Sequence, residues 1–239
     1  MAVRQLPEQW RQHPSVQRLA RVARALGPLN VRLVFIGGAV APILQTDPPF
    51  SSARVTKDVD GVVATNSAAD HAALQVELRA LGFHEATAER HAHRWICPDG
   101  SLFDLVPAGN HLGASGQQWD QVAIDTAIEL ELEAGLVIRH ASAAAFLALK
   151  WAAFADRGAG DPFASHDFED IIGVIASRPG VVEDVRRAPE SVRVFVRKWS
   201  AWLRDHRDCD ELFAANLRPA FDARVAMDLV RARLVALAP

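Results

Sequence analysis

Three aspartates and a glycine pair carry most of the chemistry that this sequence offers. Asp58-Val59-Asp60 sets two acids at i and i+2, Asp104 sits alone in Ser101-Leu102-Phe103-Asp104-Leu105-Val106, and Gly37-Gly38 closes the apolar run 31–36. Alternate residues of a strand project to one face, so Asp58 and Asp60 point together, roughly 6–7 Å apart at the backbone. Like charges held that close repel unless a cation lies between them. A hard divalent ion such as Mg²⁺ is held by one or two carboxylates plus substrate phosphates. Glycines at a strand-to-helix turn let a phosphate approach backbone N–H groups. The combination reads as a nucleotide–metal site.

These side chains need a sheet to hold them. Residues 31–36 read as a strand entering the glycine pair, 39–44 as a short helix, and 57–63 as a second strand carrying the acid pair. Residues 102–106 alternate apolar and polar, as a half-buried strand does. An amphipathic helix is predicted over 14–26 (Val16, Leu19, Val22, Leu26), stopped by Gly27-Pro28, and another over 68–81, stopped by Gly82. Strands are expected near 83–86 and 94–97, with Asp99-Gly100 as the tight turn leading into 102–106. Residues 127–132 and 136–138 flank Gly135 as a hairpin. From Ser142 the pattern turns helical, over 143–155, 168–176, 192–203, 211–217 and 221–237. The linkers are 158–162 and Arg178-Pro179-Gly180. The expected fold class is α+β: a small mixed-sheet domain over 1–141 with its N-terminal helix, then a helical domain over 142–239.

A second constellation opens the helical half. Lys150 interrupts the apolar stretch 145–155, Arg157 lies seven residues on, and Asp167 and Asp170 follow at i and i+3. Lys150 and Arg157 share one helix face, and the two acids share another. Ser165 is placed to cap the acidic helix. A lysine among apolar residues is costly unless it reaches a partner, so the plainest reading is a Lys–Asp ion pair between two helices.

The glycine pair, the Asp-x-Asp strand and the lone Asp on a later strand together resemble the nucleotidyltransferase superfamily with the DNA polymerase β-like fold. Leu-x-Leu-Lys150, Arg157 and Asp167-x-x-Asp170 resemble, within it, the abortive-infection type nucleotidyltransferase toxins and their uncharacterised relatives. The resemblance covers roughly residues 31 to 176. It implies that Asp58, Asp60 and Asp104 hold two Mg²⁺ ions with bound NTP, while Gly37 and Gly38 cradle the triphosphate. Lys150 would contact the nucleotide phosphates as a point charge. Asp167 would face the site and Asp170 would pair with Lys150 or Arg157, although the sequence does not separate the two acids. The implied reaction moves a nucleoside monophosphate from an NTP to a hydroxyl acceptor. In the toxins the acceptor is a tRNA 3′ end, with an antitoxin protein as partner; other superfamily members modify antibiotics or protein hydroxyls. The alternative is a catalytically inactive relic that binds only a nucleotide or a partner.

Composition narrows the classes. The 239 residues are 50% hydrophobic and 23% charged, with formal net charge −3. Such a chain buries a core rather than staying disordered, and does not wrap long nucleic acid by charge alone. Cys97 and Cys209 form no CxxC pair, which argues against a zinc site or a disulfide framework. No apolar run reaches about 18 residues, and the first residues lack a signal peptide's apolar stretch, so a cytoplasmic location without membrane contact is expected. His91 and His93 read as solvated strand residues, and His140 and His166 carry no stronger claim. Trp199 and Trp202 read as core, 204–211 as a solvated turn, and Arg186, Arg187, Arg193, Arg197 and Lys198 as a solvated basic set.

Overall fold

Where apolar residues recur decides what each segment becomes. In chain order the elements are β1 (Arg4–Gln5), α1 (Glu8–Arg11), α2 (Pro14–Leu26), a 3₁₀ segment (Gly27–Arg32), β2 (Leu33–Ile36), α3 (Ala41–Leu44), β3 (Asp58–Ala64), α4 (Ala68–Ala80), β4 (His84–Glu85), β5 (Arg94–Ile96), β6 (Leu102–Ala108), α5 (Gln118–Asp125), β7 (Ile128–Glu133) and β8 (Leu136–His140). The helical half follows with α6 (Ala143–Ala153), a π-helical segment (Phe154–Gly158), α7 (His166–Ser177), α8 (Val181–Arg187), α9 (Glu190–Arg204), α10 (Cys209–Asn216) and α11 (Ala223–Leu237). The computed structural model describes residues 4–47, 53–86, 93–108, 118–158, 161–217 and 223–239. The fold class is α+β, as the sequence predicts.

The chain divides into two compact units, Met1–Val40 with Val55–Ala141, and Ala41–Arg54 with Ser142–Pro239. The first holds an eight-stranded mixed sheet in the order β1-β7-β8-β2-β3-β6-β5-β4. All four residues of β2 are buried, which fits a central strand covered on both faces. It runs antiparallel to β3, which runs parallel to β6. α2 buries Val16, Leu19, Val22 and Leu26 on one stripe, and His13 Nδ1 caps it by accepting from the Ser15 N–H. The Ser15 hydroxyl in turn accepts from the Thr56 N–H at 3.0 Å, fixing the entry to β3. β5 and β6 form a hairpin through Asp99-Gly100, where Gly100 has φ +81° and the Cys97 N–H donates to the Ser101 carbonyl.

The second unit is built round α7, whose Phe168, Ile171, Ile172, Val174 and Ile175 are all fully buried. Helix α11 places Ala226, Val230 and Leu234 inward at i, i+4 and i+8. Residues 41–47 belong with these helices because the Asp47 N–H donates to the Ser177 carbonyl and Arg178 donates to the Leu44 carbonyl.

The structure departs from the sequence reading in four places. Val31 and Arg32 close a 3₁₀ segment that begins at Gly27-Pro28 rather than opening a strand, leaving Val31 exposed. Residues 118–125 form α5 ahead of the predicted hairpin, burying Trp119 and Ala123. α8 forms directly after the linker Arg178-Pro179-Gly180, where no helix is expected. The predicted solvated turn over 204–211 instead contains the start of α10 at Cys209.

Candidate active site

The sheet register brings the acids together. Asp60 on β3 lies opposite Asp104 on the neighbouring parallel strand β6, and Asp58 opposite Leu102. In both strands the intervening residues, Val59, Phe103 and Leu105, are buried, so Asp58, Asp60 and Asp104 share the other face. Gly61 lets this pair of strands close, since a Cβ there would lie 2.9 Å from the Phe103 ring.

Gly37, at the end of β2, has φ +70°. A Cβ at this position would lie 1.9 Å from Asp60 Oδ2. The glycine is therefore required twice, by its left-handed backbone and by the carboxylate that occupies the space beside it. The Val40 N–H donates to the Gly37 carbonyl at 3.2 Å, closing the turn that also contains the buried Gly38 and Ala39.

Asp58 and Asp104 are joined by a residue outside the set expected from the sequence. Arg94 on β5 pairs across the hairpin with Asp104. Its Nε and Nη2 donate to the two Asp104 oxygens, each at 2.8 Å, and Nη2 also donates to Asp58 Oδ2 at 3.0 Å. The Thr56 hydroxyl donates to Asp58 Oδ1 at 2.7 Å. A cation is thus present between Asp58 and Asp104 as a guanidinium, bidentate to Asp104. A signal for it exists in the sequence: a turn at Asp99-Gly100 pairing Cys97 with Ser101 forces Arg94 opposite Asp104, an opposite-charge cross-strand pair.

The donors fit Mg²⁺ in type, being hard anionic oxygens on adjacent strands, and the guanidinium already stands in for a cation between two of them. Among the described residues no group of three His, Cys, Asp or Glu side chains is arranged to hold a metal ion. A metal ion held by Asp58 and Asp104 would share their oxygens with the Arg94 guanidinium. His91 lies outside the described residues, as do residues 48–52 of the loop between α3 and β3.

The second constellation lies within the helical unit. Lys150 on α6 is buried, with its Nζ 3.0 Å from Asp167 Oδ1 and 2.6 Å from Asp170 Oδ2 on α7. Arg157, on the π-helical segment, bonds Asp167 Oδ2 from the exposed side. Asp167 thus takes both cations, while Asp170 takes Lys150 and a longer contact of 3.7 Å to Arg54. Burial alone would lower the Lys150 pKa, but Asp170 and then Asp167 override it and raise it. Burial alone would raise that of Asp167, but Lys150 and then Arg157 hold it below the ordinary carboxylate range. Ser165 caps α7 by accepting from the Phe168 N–H. His140 is buried with its Nδ1 2.8 Å from the Ala141 carbonyl oxygen, and His166 is exposed. Trp199 stacks on the buried Trp151 at 5.5 Å between ring centroids.

No protein-family model matches the chain, and no curated protein matches it significantly in sequence. Among solved structures it is similar to the crystal structure of an antigenic nucleotidyltransferase-like protein from Paracoccidioides brasiliensis. The TM-score is 0.51 at 18% identity, covering 86% of this chain and 94% of that one. Looser likenesses are to the solution structure of the antibiotic-resistance factor ANT(2'')-Ia (TM-score 0.48, 18% identity, 80% and 95% covered) and to JHP933 from Helicobacter pylori (0.44, 13%, 97% and 93%). The chain has a nucleotidyltransferase fold.

Proposed function

We propose that the chain is a Mg²⁺-dependent nucleotidyltransferase that moves a nucleoside monophosphate from an NTP to a hydroxyl acceptor. The observation that carries this reading is the register of Asp60 against Asp104, on the same face as Asp58 and beside the positive-φ glycine turn. Asp58, Asp60 and Asp104 would hold the metal. When bound, Mg²⁺ supplies neutralisation of the triphosphate and alignment of the attacking and leaving oxygens. Asp104 accepts the proton of the acceptor hydroxyl as its oxygen forms a bond to the α-phosphorus. The bond from that phosphorus to the bridging oxygen breaks, and pyrophosphate leaves. The N–H groups of the 37–39 turn donate to phosphate oxygens.

Lys150, Asp167 and Asp170 enter this proposal through the family resemblance alone. Their geometry within the helical unit supports a structural ion-pair network. The resemblance favours an RNA 3′ end, such as that of a tRNA, as acceptor, and with it an antitoxin partner. The net charge of −3 favours a small cationic acceptor over a long polyanion.

The test is a thermal-shift titration of the four NTPs with and without Mg²⁺, on wild type and Asp58→Ala. A ligand that binds only the native state stabilises it by RT ln(1 + [L]/Kd), about 2.7 kcal/mol at one hundred times Kd. The expected result is a Mg²⁺-dependent shift with at least one NTP, lost in the variant. The absence of any shift in wild type would withdraw the catalytic assignments.

A further inference from the structure

The acidic site already contains a cation of its own. All four carboxylate oxygens of Asp58 and Asp104 accept a hydrogen bond from a protein donor: Thr56 on Asp58 Oδ1, and Arg94 on the other three. The Arg94 side chain is only 11% exposed and that of Asp104 16%. A guanidinium is not deprotonated in proteins, so its charge is permanent. The hairpin register holds it against Asp104 at their shared cross-strand position.

We propose that Arg94 is a resident latch of this site: it clamps Asp58 to Asp104 in the metal-free chain, and a divalent cation engages those carboxylates only by displacing it. The inference rests on the reading of the acids as metal ligands. Its physical content is competition, because a guanidinium held within hydrogen-bond distance of these oxygens repels a second cation brought to them. Metal binding becomes an exchange of one cation for another, and the apparent affinity is the intrinsic one multiplied by the fraction of molecules that are unlatched. In return, the metal-free site is spared the repulsion of closely spaced carboxylates.

Mn²⁺ binding measured by calorimetry without nucleotide, on wild type, Arg94→Gln and Arg94→Lys, tests this. The Gln variant is expected to bind Mn²⁺ about tenfold more tightly than wild type or better. The Lys variant, which keeps the charge but not the fork, is expected to fall between them. The metal-free melting temperature of Arg94→Gln should drop, and Mn²⁺ should restore it by more than it raises wild type. A folded Arg94→Gln that binds Mn²⁺ no more tightly than wild type overturns the latch and leaves the nucleotide site standing. No Mn²⁺ binding by any of the three overturns the latch, while the nucleotide site is decided separately by the thermal-shift titration with NTP and Mg²⁺. If Arg94→Gln does not fold, nitrogen-15 spectra of the arginine Nε–H groups of wild type decide. Loss of the protected Arg94 signal on adding Mg²⁺ with a non-hydrolysable ATP analogue supports displacement, and an unchanged signal at saturation overturns it.

Discussion

Gly37 concentrates two constraints at one residue. Its φ of +70° disfavours any L side chain, and the Asp60 carboxylate fills the space where a Cβ would go. Backbone strain of this kind costs about 1–3 kcal/mol, and the collision must be relieved by moving Asp60. Gly37→Ala is therefore expected to lower stability by at least that strain and to abolish Mg²⁺-dependent nucleotide binding. Chemical denaturation and the thermal-shift titration read the two effects separately. A variant that keeps wild-type stability and binding would show that the turn and Asp60 are not coupled as described. The sequence motivated this glycine by phosphate approach; the contact with Asp60 is an independent reason that only the structure supplies.

At the scale of elements, α6 and α7 are joined by a buried ionic network. Lys150→Met leaves Asp167 and Asp170 without their buried cation, which is expected to cost about 3–5 kcal/mol, read as a fall in the denaturation midpoint. The pH dependence follows from the shifts. Asp167 has a lowered folded pKa, so its contribution is present above the unfolded value of about 3.9 and is lost as pH falls through the folded value. Lys150 has a raised one, so its contribution is present below about 10.4 and is lost as pH rises through the folded value. The stability gap between wild type and Asp167→Asn, measured by denaturation at pH 7 and pH 3, is expected to narrow at the acid end. A gap that widens there would remove the ion pair as its source.

For the whole molecule, the two cysteines act as built-in reporters of folding. Burial pushes the Cys97 thiol up to about 12, with Asp99 adding to the effect. Burial and then Asp210 push Cys209 up to about 11. Only the thiolate is nucleophilic, so iodoacetamide at neutral pH is expected to modify neither thiol in the folded chain at a free cysteine's rate. Both should react in denaturant, as followed by mass spectrometry. Rapid labelling of Cys97 in native buffer would contradict the packing of the β5–β6 hairpin. Cys97 is a buried free cysteine and Cys209 a half-buried one. Among the described residues no helix is long and apolar enough to cross a membrane.

The sequence by itself determined the α+β class, the amphipathic helices, the Asp-Gly turn and the placing of Asp58 and Asp60 on one strand face. Each of these follows from local periodicity or turn chemistry. It also indicated an ionic link from Lys150 to the Asp167/Asp170 pair, because a lysine in an apolar helix needs a counter-charge. Tertiary structure alone decided which acid takes Arg157, since that choice depends on how α6 and its π-helical continuation pack on α7. It decided that Asp60 and Asp104 stand in register, because the pairing of β3 with β6 joins residues forty-four apart in the chain. It also decided that the cation between Asp58 and Asp104 is the chain's own Arg94. The hairpin register pointed that arginine at Asp104, but its reach to Asp58 depends on the side-by-side order β3-β6-β5, which no local pattern encodes.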